Sequence, residues 1–162
     1  MYELQVLRRD HATAVLEFEV ANRDYFAQSI NDRGDEFFEQ FTKRHEELLA
    51  DQVRGVVACY VLVDEDEKVV GRFNLYDLAD GTADVGYRVA QLVAGHGVAT
   101  AALRNLCRKA RDDHGLSTLK AATPNGNVAS QRVLKKVGFV EVGPTEVGGR
   151  RGVSYELALT NL

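Results

Sequence analysis

The chain has 162 residues, of which 45% are hydrophobic and 27% are charged. This composition is typical of a globular protein, and it excludes the collagen-like, coiled-coil and intrinsically disordered classes. The longest apolar run, residues 56–63, suits a buried strand and is too short to span a bilayer. We therefore predict a single soluble domain over residues 1–162, long enough to bury its own core.

Charge is distributed unevenly along the chain. Residues 1–87 carry nine Lys or Arg and nineteen Asp or Glu, whereas residues 88–162 carry eleven and five. The basic C-terminal half favours an anionic ligand and the acidic half a cationic one, although solvated helix faces give the same asymmetry. The formal net charge of −4 argues against nucleic acid as the main partner.

The N-terminus and the cysteines predict where the protein resides. The first residues lack the basic-then-apolar order of a signal peptide. Cys59 and Cys107 fall within a predicted strand and a predicted helix, so we expect both thiols to be reduced and buried in a cytoplasmic protein. The four histidines lack metal-ligand spacing, and no metal site is predicted.

The first half of the chain is predicted to end in three strands joined by short turns. The predicted elements are a strand at 4–7, a helix at 10–20, an irregular segment at 22–34, a helix at 35–50 and strands at 56–63, 69–75 and 83–89. Because the turns between these three strands are short and polar, they indicate antiparallel hairpins.

The second half has a different pattern. The predicted elements are a loop at 90–96, a helix at 97–114, a strand at 116–123, a helix at 127–137 and strands at 139–142 and 153–159. The helix at 97–114 has apolar residues at helical spacing, and a strand that follows such a crossover should lie parallel to the strand before it. The predicted fold class is therefore α/β with a mixed sheet.

The most informative segment is the strand-to-helix turn Gly95-His96-Gly97-Val98-Ala99-Thr100. Glycines at such a turn let the backbone approach a ligand, and the unpaired N–H groups and the helix dipole favour phosphate. The segment lacks the Gly-Lys-Ser/Thr of a Walker A loop and the third glycine of a dinucleotide-binding turn. Taken alone, the motif is weak evidence for phosphate binding, and a structural glycine turn explains it better.

The order of several motifs is more specific than any one of them. The glycine turn lies between Asp84-Val85-Gly86-Tyr87-Arg88-Val89 and Asn127-Val128-Ala129-Ser130-Gln131-Arg132-Val133-Leu134. Over essentially its whole length the chain resembles the GNAT superfamily of acyl-CoA-dependent N-acyltransferases, and these two segments resemble its Rim-type branch, whose members acetylate ribosomal protein N-termini. The resemblance implies a mostly antiparallel sheet with helices on both faces and one parallel pair that separates at the acetyl-CoA site.

The resemblance also implies roles for individual residues. The backbone of residues 95–100 would hold the pyrophosphate of acetyl-CoA, and the N–H of Val89 would polarise the thioester carbonyl. Asn127 would contact the pantetheine, and Ser130 would lie near the sulfur as the acid. Tyr87 would line the tunnel or relay a proton, although a packed strand aromatic fits the sequence equally well.

Three positions depart from the family pattern. Ala94 stands where Arg or Gln is usual before the glycine turn, and Leu134 stands where many members have a Tyr that protonates the thiolate. Val153 stands where Rim-type proteins often have an Asp. Arg132, Lys135 and Lys136 are candidate phosphate contacts or an exposed helix face.

The acceptor amine must be neutral to attack. An α-amine has a pKa of about 7.7–8.0 and a Lys amine about 10.4, so only Lys needs a strong base. The candidate bases Asp77, Asp84 and Glu156 fit solvated or turn positions better. A protein N-terminus, such as that of a ribosomal protein, is therefore the leading acceptor.

Two alternatives remain open from the sequence. In the first, the acceptor is a small molecule such as a polyamine or aminoglycoside. In the second, the domain binds coenzyme A without catalysis. Residues 22–34 and 143–152 are expected to build the acceptor pocket, and relatives suggest a homodimer.

Overall fold

Strands form a single sheet at the centre of the protein. This computed structural model describes residues 1–162, apart from the side chain of Asn161. The strands are β1 (Glu3–Val6), β2 (Val57–Val63), β3 (Val69–Ala79), β4 (Thr82–Val89), β5 (Thr118–Pro124), β6 (Val140–Val147) and β7 (Arg150–Ala158). They lie in the order β1-β2-β3-β4-β5-β7-β6. Only β4 and β5 pair in parallel, which confirms the predicted mixed sheet.

Helices cover the sheet on both faces. The α-helices are α1 (Ala12–Ala21), α2 (Arg23–Ala27), α3 (Asp35–Glu39), α4 (Phe41–Val53), α5 (Val98–Asp112) and α6 (Val128–Val137). Arg72 of β3 contacts Glu19 of α1, whereas the next residue, Phe73, stacks on Tyr87, whose hydroxyl meets Ser130 of α6. Because successive side chains of a strand alternate in direction, α1 and α6 lie on opposite faces.

The segment between α1 and β2 differs from the prediction. The stretch 22–34, predicted as irregular, contains α2, and the helix predicted over 35–50 is broken at Gln40. Residues three apart in an unbroken helix share a face. The break instead lets Phe41 enter the core while Phe38 lies under the guanidinium of Arg23, 4.4 Å from its ring centroid.

The C-terminal hairpin is longer than predicted. The stretch 143–152, which the two predicted strands leave out, is mostly strand, and β6 and β7 are joined at Gly148 and Gly149, which both have positive φ. A proline such as Pro144 would interrupt a central strand. Here β6 is an edge strand of the sheet, where the missing N–H of a proline is tolerated.

Most of the buried residues are apolar, and both cysteines lie among them. Cys59 and Cys107 are both buried with free thiols, which confirms their predicted burial. Burial raises the pKa of each thiol to about 12, so neither is a reactive thiolate near neutral pH. Among the described residues, no helix is long and apolar enough to cross a membrane.

Candidate active site

A gap opens in the sheet where β4 and β5 separate. The two strands pair only from Thr82 with Thr118 to Asp84 with Lys120. Beyond that point β5 stays paired with β7 as far as Pro124, and β4 stays paired with β3 as far as Val89. The second half of β4 therefore has a free edge facing β5.

The backbone of Val89 faces this gap. Ala90 N–H donates to Val70 O at 2.8 Å, so this pair is a hydrogen-bonded pair of the β3–β4 ladder. Antiparallel ladders alternate between hydrogen-bonded and non-bonded pairs, which makes Gly71 and Val89 a non-bonded pair. The N–H of Val89 consequently points away from β3, towards the side on which β5 has separated.

A cavity of about 410 Å³ occupies the gap and reaches both faces of the sheet. On the face of α1 it is lined by Tyr25, Phe26, Ser29, Ile30 and Arg88. Near α6 and the glycine turn it is lined by Tyr87, Val89, Ala94, Gly95, Gly97, Ala99, Thr100, Asn127 and Ser130. Groups from the two faces can therefore act on one molecule that lies in the gap.

The glycine turn has the backbone geometry of an anion cradle. Gly95 and Gly97 have φ values of +79° and +77°, a region that L side chains rarely adopt, and no atom lies within 4 Å of a Cβ at either position. Gly97 caps α5, and the first helical bond runs from Ala101 N–H to its carbonyl. The N–H groups of residues 98–100 precede this bond and have no acceptor within the helix.

Two residues of the turn have side chains outside the cavity. His96 and Val98 line a separate hollow beside Tyr2 and Leu62, and His96 is exposed. Any contact of these two residues with a ligand in the main cavity would therefore use their backbone.

Ser130 is fixed in place from two directions. Asn127, the N-cap residue of α6, accepts a hydrogen bond at Oδ1 from the N–H of Ser130 at 3.3 Å. The hydroxyl of Tyr87 lies 2.9 Å from Oγ of Ser130. Burial raises the pKa of Tyr87 to about 12, and the hydrogen bond to Ser130 opposes this only in part. Tyr87 therefore stays protonated near neutral pH, and the two hydroxyls form a hydrogen-bonded pair beside the cavity.

Carboxylates do not line the cavity. Within the part of the chain that the structure describes, its lining includes no Asp or Glu, and the candidate bases Asp77, Asp84 and Glu156 all lie elsewhere. The pKa of Asp84 is raised, first by burial and then by the nearby Asp77, but this occurs where β4 and β5 are still paired.

The positions that depart from the family pattern have separate surroundings. Ala94 lines the cavity, whereas Leu134 is 1% exposed and packs in the core. Among the cations of α6, Arg132 and Lys136 line the cavity and Lys135 does not.

The two segments expected to build the acceptor pocket contribute unequally to the lining of the cavity. The stretch 22–34 supplies four lining residues, whereas 143–152 supplies none. The hairpin acts instead as a support, since Asn31 donates from Nδ2 to the carbonyl oxygen of Gly148 at 2.9 Å.

Sequence reasoning missed a group of charged residues beside the cavity. Glu19, which is 1% exposed, accepts hydrogen bonds from Arg33, Arg72 and Arg88, and we call these four residues the arginine cluster. The partners are 14, 53 and 69 residues from Glu19 along the chain. The available signal was a charge within an apolar run, as at Glu19 between Phe18 and Val20.

Comparison with known proteins identifies the family. Residues 3–140 match the family described as Acetyltransferase (GNAT) domain. A Bacillus subtilis (strain 168) relative, named Probable N-acetyltransferase YjcK, is 28% identical over 131 residues, which is 75% of this chain and 71% of the relative.

Solved structures share the fold and differ in their named activities. The ribosomal-protein-S5-alanine acetyltransferase from Vibrio fischeri superimposes with a TM-score of 0.90 at 20% identity, covering 97% of this chain and 92% of the other. A variant of the spermidine N-acetyltransferase SpeG from Vibrio cholerae superimposes with a TM-score of 0.79 at 14% identity, covering 99% and 95%. The fold and the family match agree, and the chain belongs to the GNAT N-acetyltransferase family.

Proposed function

We propose that this N-acetyltransferase transfers the acetyl group of acetyl-CoA to the α-amine of a protein N-terminus, by direct attack. The observation that carries the proposal is the cavity at the gap between β4 and β5, which combines the N–H of Val89 and a protonated Tyr87–Ser130 pair with no carboxylate base in its described lining.

The chain offers groups that fit acetyl-CoA. The free N–H groups of residues 98–100 and the positive end of the α5 dipole suit a pyrophosphate, and Arg132 and Lys136 add positive charge nearby. The free edge of β4 can hydrogen-bond an extended amide chain such as pantetheine. Bound acetyl-CoA would supply the activated thioester.

The chain's groups match the charges that develop during transfer. The N–H of Val89 stabilises negative charge on the thioester oxygen as the acceptor nitrogen attacks the acetyl carbon. A carbon–nitrogen bond forms, the carbon–sulfur bond breaks, and the amine proton passes to water. Ser130, hydrogen-bonded to Tyr87 at 2.9 Å, donates a proton to the departing sulfur and recovers one from solvent.

The absence of a carboxylate from the described lining favours an α-amine over a Lys side chain. At pH 7 about a tenth of α-amines are neutral, compared with well under a thousandth of Lys amines. An α-amine therefore needs only water as its base, whereas Lys requires a positioned carboxylate or histidine.

A small amine is the second candidate acceptor, because the fold is shared with a spermidine acetyltransferase.

The experiment compares thiol release from acetyl-CoA with three acceptor pools: peptides with free N-termini, N-blocked Lys peptides, and polyamines with aminoglycosides. Release with the first pool alone is expected. Release with the third pool alone would keep the fold and overturn the substrate. Silence in every pool, with acetyl-CoA still raising the melting temperature, would favour a non-catalytic binder.

A further inference from the structure

The arginine cluster has more positive than negative charge. Arg33 Nε lies 3.0 Å and Arg88 Nη1 3.3 Å from Oε1 of Glu19, and Arg72 Nη1 lies 2.7 Å from Oε2. One carboxylate therefore faces three guanidinium groups, an excess of two positive charges. Burial would raise the pKa of Glu19, but the arginines outweigh it and lower the pKa, so Glu19 is fully ionised at neutral pH.

The charged groups around the cluster are already paired with each other. Arg23 makes two hydrogen bonds to Asp32, at 3.0 and 2.8 Å, and one to Asp35 at 2.8 Å. Asp35 is 85% exposed at its side chain and well solvated. This neighbouring group has one net negative charge, so it reduces the excess beside Glu19 without removing it.

Arg88 is the member of the cluster that lines the cavity. Its guanidinium lies 4.6 Å from the ring centroid of Phe26 and makes one side-chain hydrogen bond in the described structure, the 3.3 Å contact with Glu19. A guanidinium carries five N–H donors in a planar fork that matches a carboxylate. Burial first, and then repulsion by Arg33, lowers the pKa of Arg88 to about 10, so an added carboxylate would relieve an unfavourable environment.

The position of Arg88 limits where such a carboxylate can be. Arg88 directly precedes Val89 on β4, and its side chain points to the face of α1, opposite to that of Tyr87. An acceptor whose amine reaches the thioester at Val89 therefore passes Arg88 with its first residues, since each extended residue spans only about 3.3–3.6 Å.

We propose that Arg88 binds a carboxylate of the acceptor, so that the preferred acceptor is an α-amine with Asp or Glu within its first two residues. The inference rests on the proposed function, and it narrows the acceptor from any N-terminus to an acidic one. Polyamines are disfavoured, because their ammonium groups would meet the excess positive charge. The same carboxylate chemistry is offered by a free acidic amino acid, which the experiment distinguishes.

The test measures kcat and KM with peptides that differ only at the second residue: Ser-Asp, Ser-Asn and Ser-Lys, each followed by one common sequence. If Arg88 forms a hydrogen-bonded charge pair with the Asp side chain, kcat/KM for Ser-Asp should be roughly tenfold or more above that for Ser-Asn. Ser-Lys should have the lowest kcat/KM. Arg88→Gln should remove the preference by raising KM for Ser-Asp, and Arg88→Lys should retain part of it because the charge remains without the fork.

Arg111→Gln is the matched control. It removes the same charge from α5, where Arg111 pairs with Asp112 at the surface, and it should leave the preference unchanged. Melting temperatures and the shift produced by acetyl-CoA confirm that each variant is folded. Equal kcat/KM values for Ser-Asp and Ser-Asn in the wild type, or a preference that survives Arg88→Gln, would overturn the inference and leave the proposed function intact.

Free aspartate, free glutamate and spermidine complete the acceptor set. If no peptide is acetylated but the acidic amino acids are, and Arg88→Gln abolishes this, the proposed function falls and the carboxylate contact stands. If spermidine alone is acetylated, or no acceptor reacts, both fall.

Discussion

The two sides of the cavity are built in different ways. On the side proposed to bind acetyl-CoA (the cofactor side), formed by the glycine turn and α6, the key geometry is local: two glycines with positive φ, and an N-cap bond between Asn127 and Ser130. On the side proposed to bind the acceptor (the acceptor side), formed by α2, Ser29, Ile30 and Arg88, the key geometry is long-range, because Glu19 gathers partners up to 69 residues away.

This difference affects how each side tolerates change. A local motif depends on the backbone conformation of a few consecutive residues, so one wrong residue type destroys it. A buried charge cluster depends on the balance between several side chains, so loss of its single carboxylate leaves several cations uncompensated. Substitutions on the cofactor side should therefore weaken cofactor binding. Substitutions on the acceptor side should lower the stability of the protein and change its acceptor selectivity.

The largest expected effect is that of Glu19→Gln on stability. The change preserves shape and leaves three guanidinium groups without their counter-ion. Breaking a buried ion pair in this way costs about 3–5 kcal/mol, so we expect the free energy of unfolding in urea to fall by that amount. Glu46→Gln is the control, because Glu46 pairs with Arg9 at the exposed surface, where such pairs contribute less than about 1 kcal/mol.

The same variant has a pH signature. The pKa of Glu19 is lower in the folded protein than its ordinary value of 4.5. Its contribution is therefore complete above about pH 4.5 and is lost as the pH falls through the folded pKa. The difference in the free energy of unfolding between the wild type and Glu19→Gln should narrow on acidification. A difference that widened would contradict a lowered pKa of Glu19 in the folded protein.

The next largest effect is that of Gly97→Val on cofactor binding. A β-branched residue at φ +77° is strained by about 1–2 kcal/mol, and relief of this strain would turn the N–H groups of residues 98–100 away from the ligand. We expect the Kd for acetyl-CoA, measured by calorimetry, to rise about a hundredfold, or about 2.7 kcal/mol.

Gly55→Val separates strain from function. Gly55 has φ +79° and open space around it but lies away from the cavity, so its substitution should lower stability similarly and leave the Kd unchanged. Unchanged acetyl-CoA affinity in Gly97→Val would move the phosphate site away from this turn.

The same contrast explains what could be predicted from the sequence. The parallel β4–β5 pair and the glycine turn follow from spacing and residue type. The arginine cluster could not be predicted, because nothing near Glu19 in the sequence indicates Arg72 or Arg88. The break at Gln40 also depends on tertiary contacts, since it serves the burial of Phe41.

A smaller effect is expected for Ser130→Ala. If Ser130 protonates the departing sulfur, its loss should lower kcat at least tenfold while the Kd for acetyl-CoA changes little. Stopped-flow thiol release and calorimetry separate the two quantities. Ser117→Ala, which removes a hydroxyl bonded to the carbonyl of Gly81 away from the cavity, should alter neither. Full activity in Ser130→Ala would exclude Ser130 as the acid.

The smallest effect is expected for Tyr87→Phe, and it tests whether Tyr87 and Ser130 act together. Their hydroxyls are 2.9 Å apart, so loss of the tyrosine hydroxyl should weaken proton donation by Ser130 and lower kcat roughly threefold. Groups that act as one unit are non-additive, so the double variant should be no slower than Ser130→Ala alone.

Tyr60→Phe is the control, because its hydroxyl is bonded to His114 in another hollow and burial raises its pKa to about 12 as well. Additive losses in the double variant would mean that Tyr87 acts independently, as a packed aromatic against Phe73 rather than as part of the proton path.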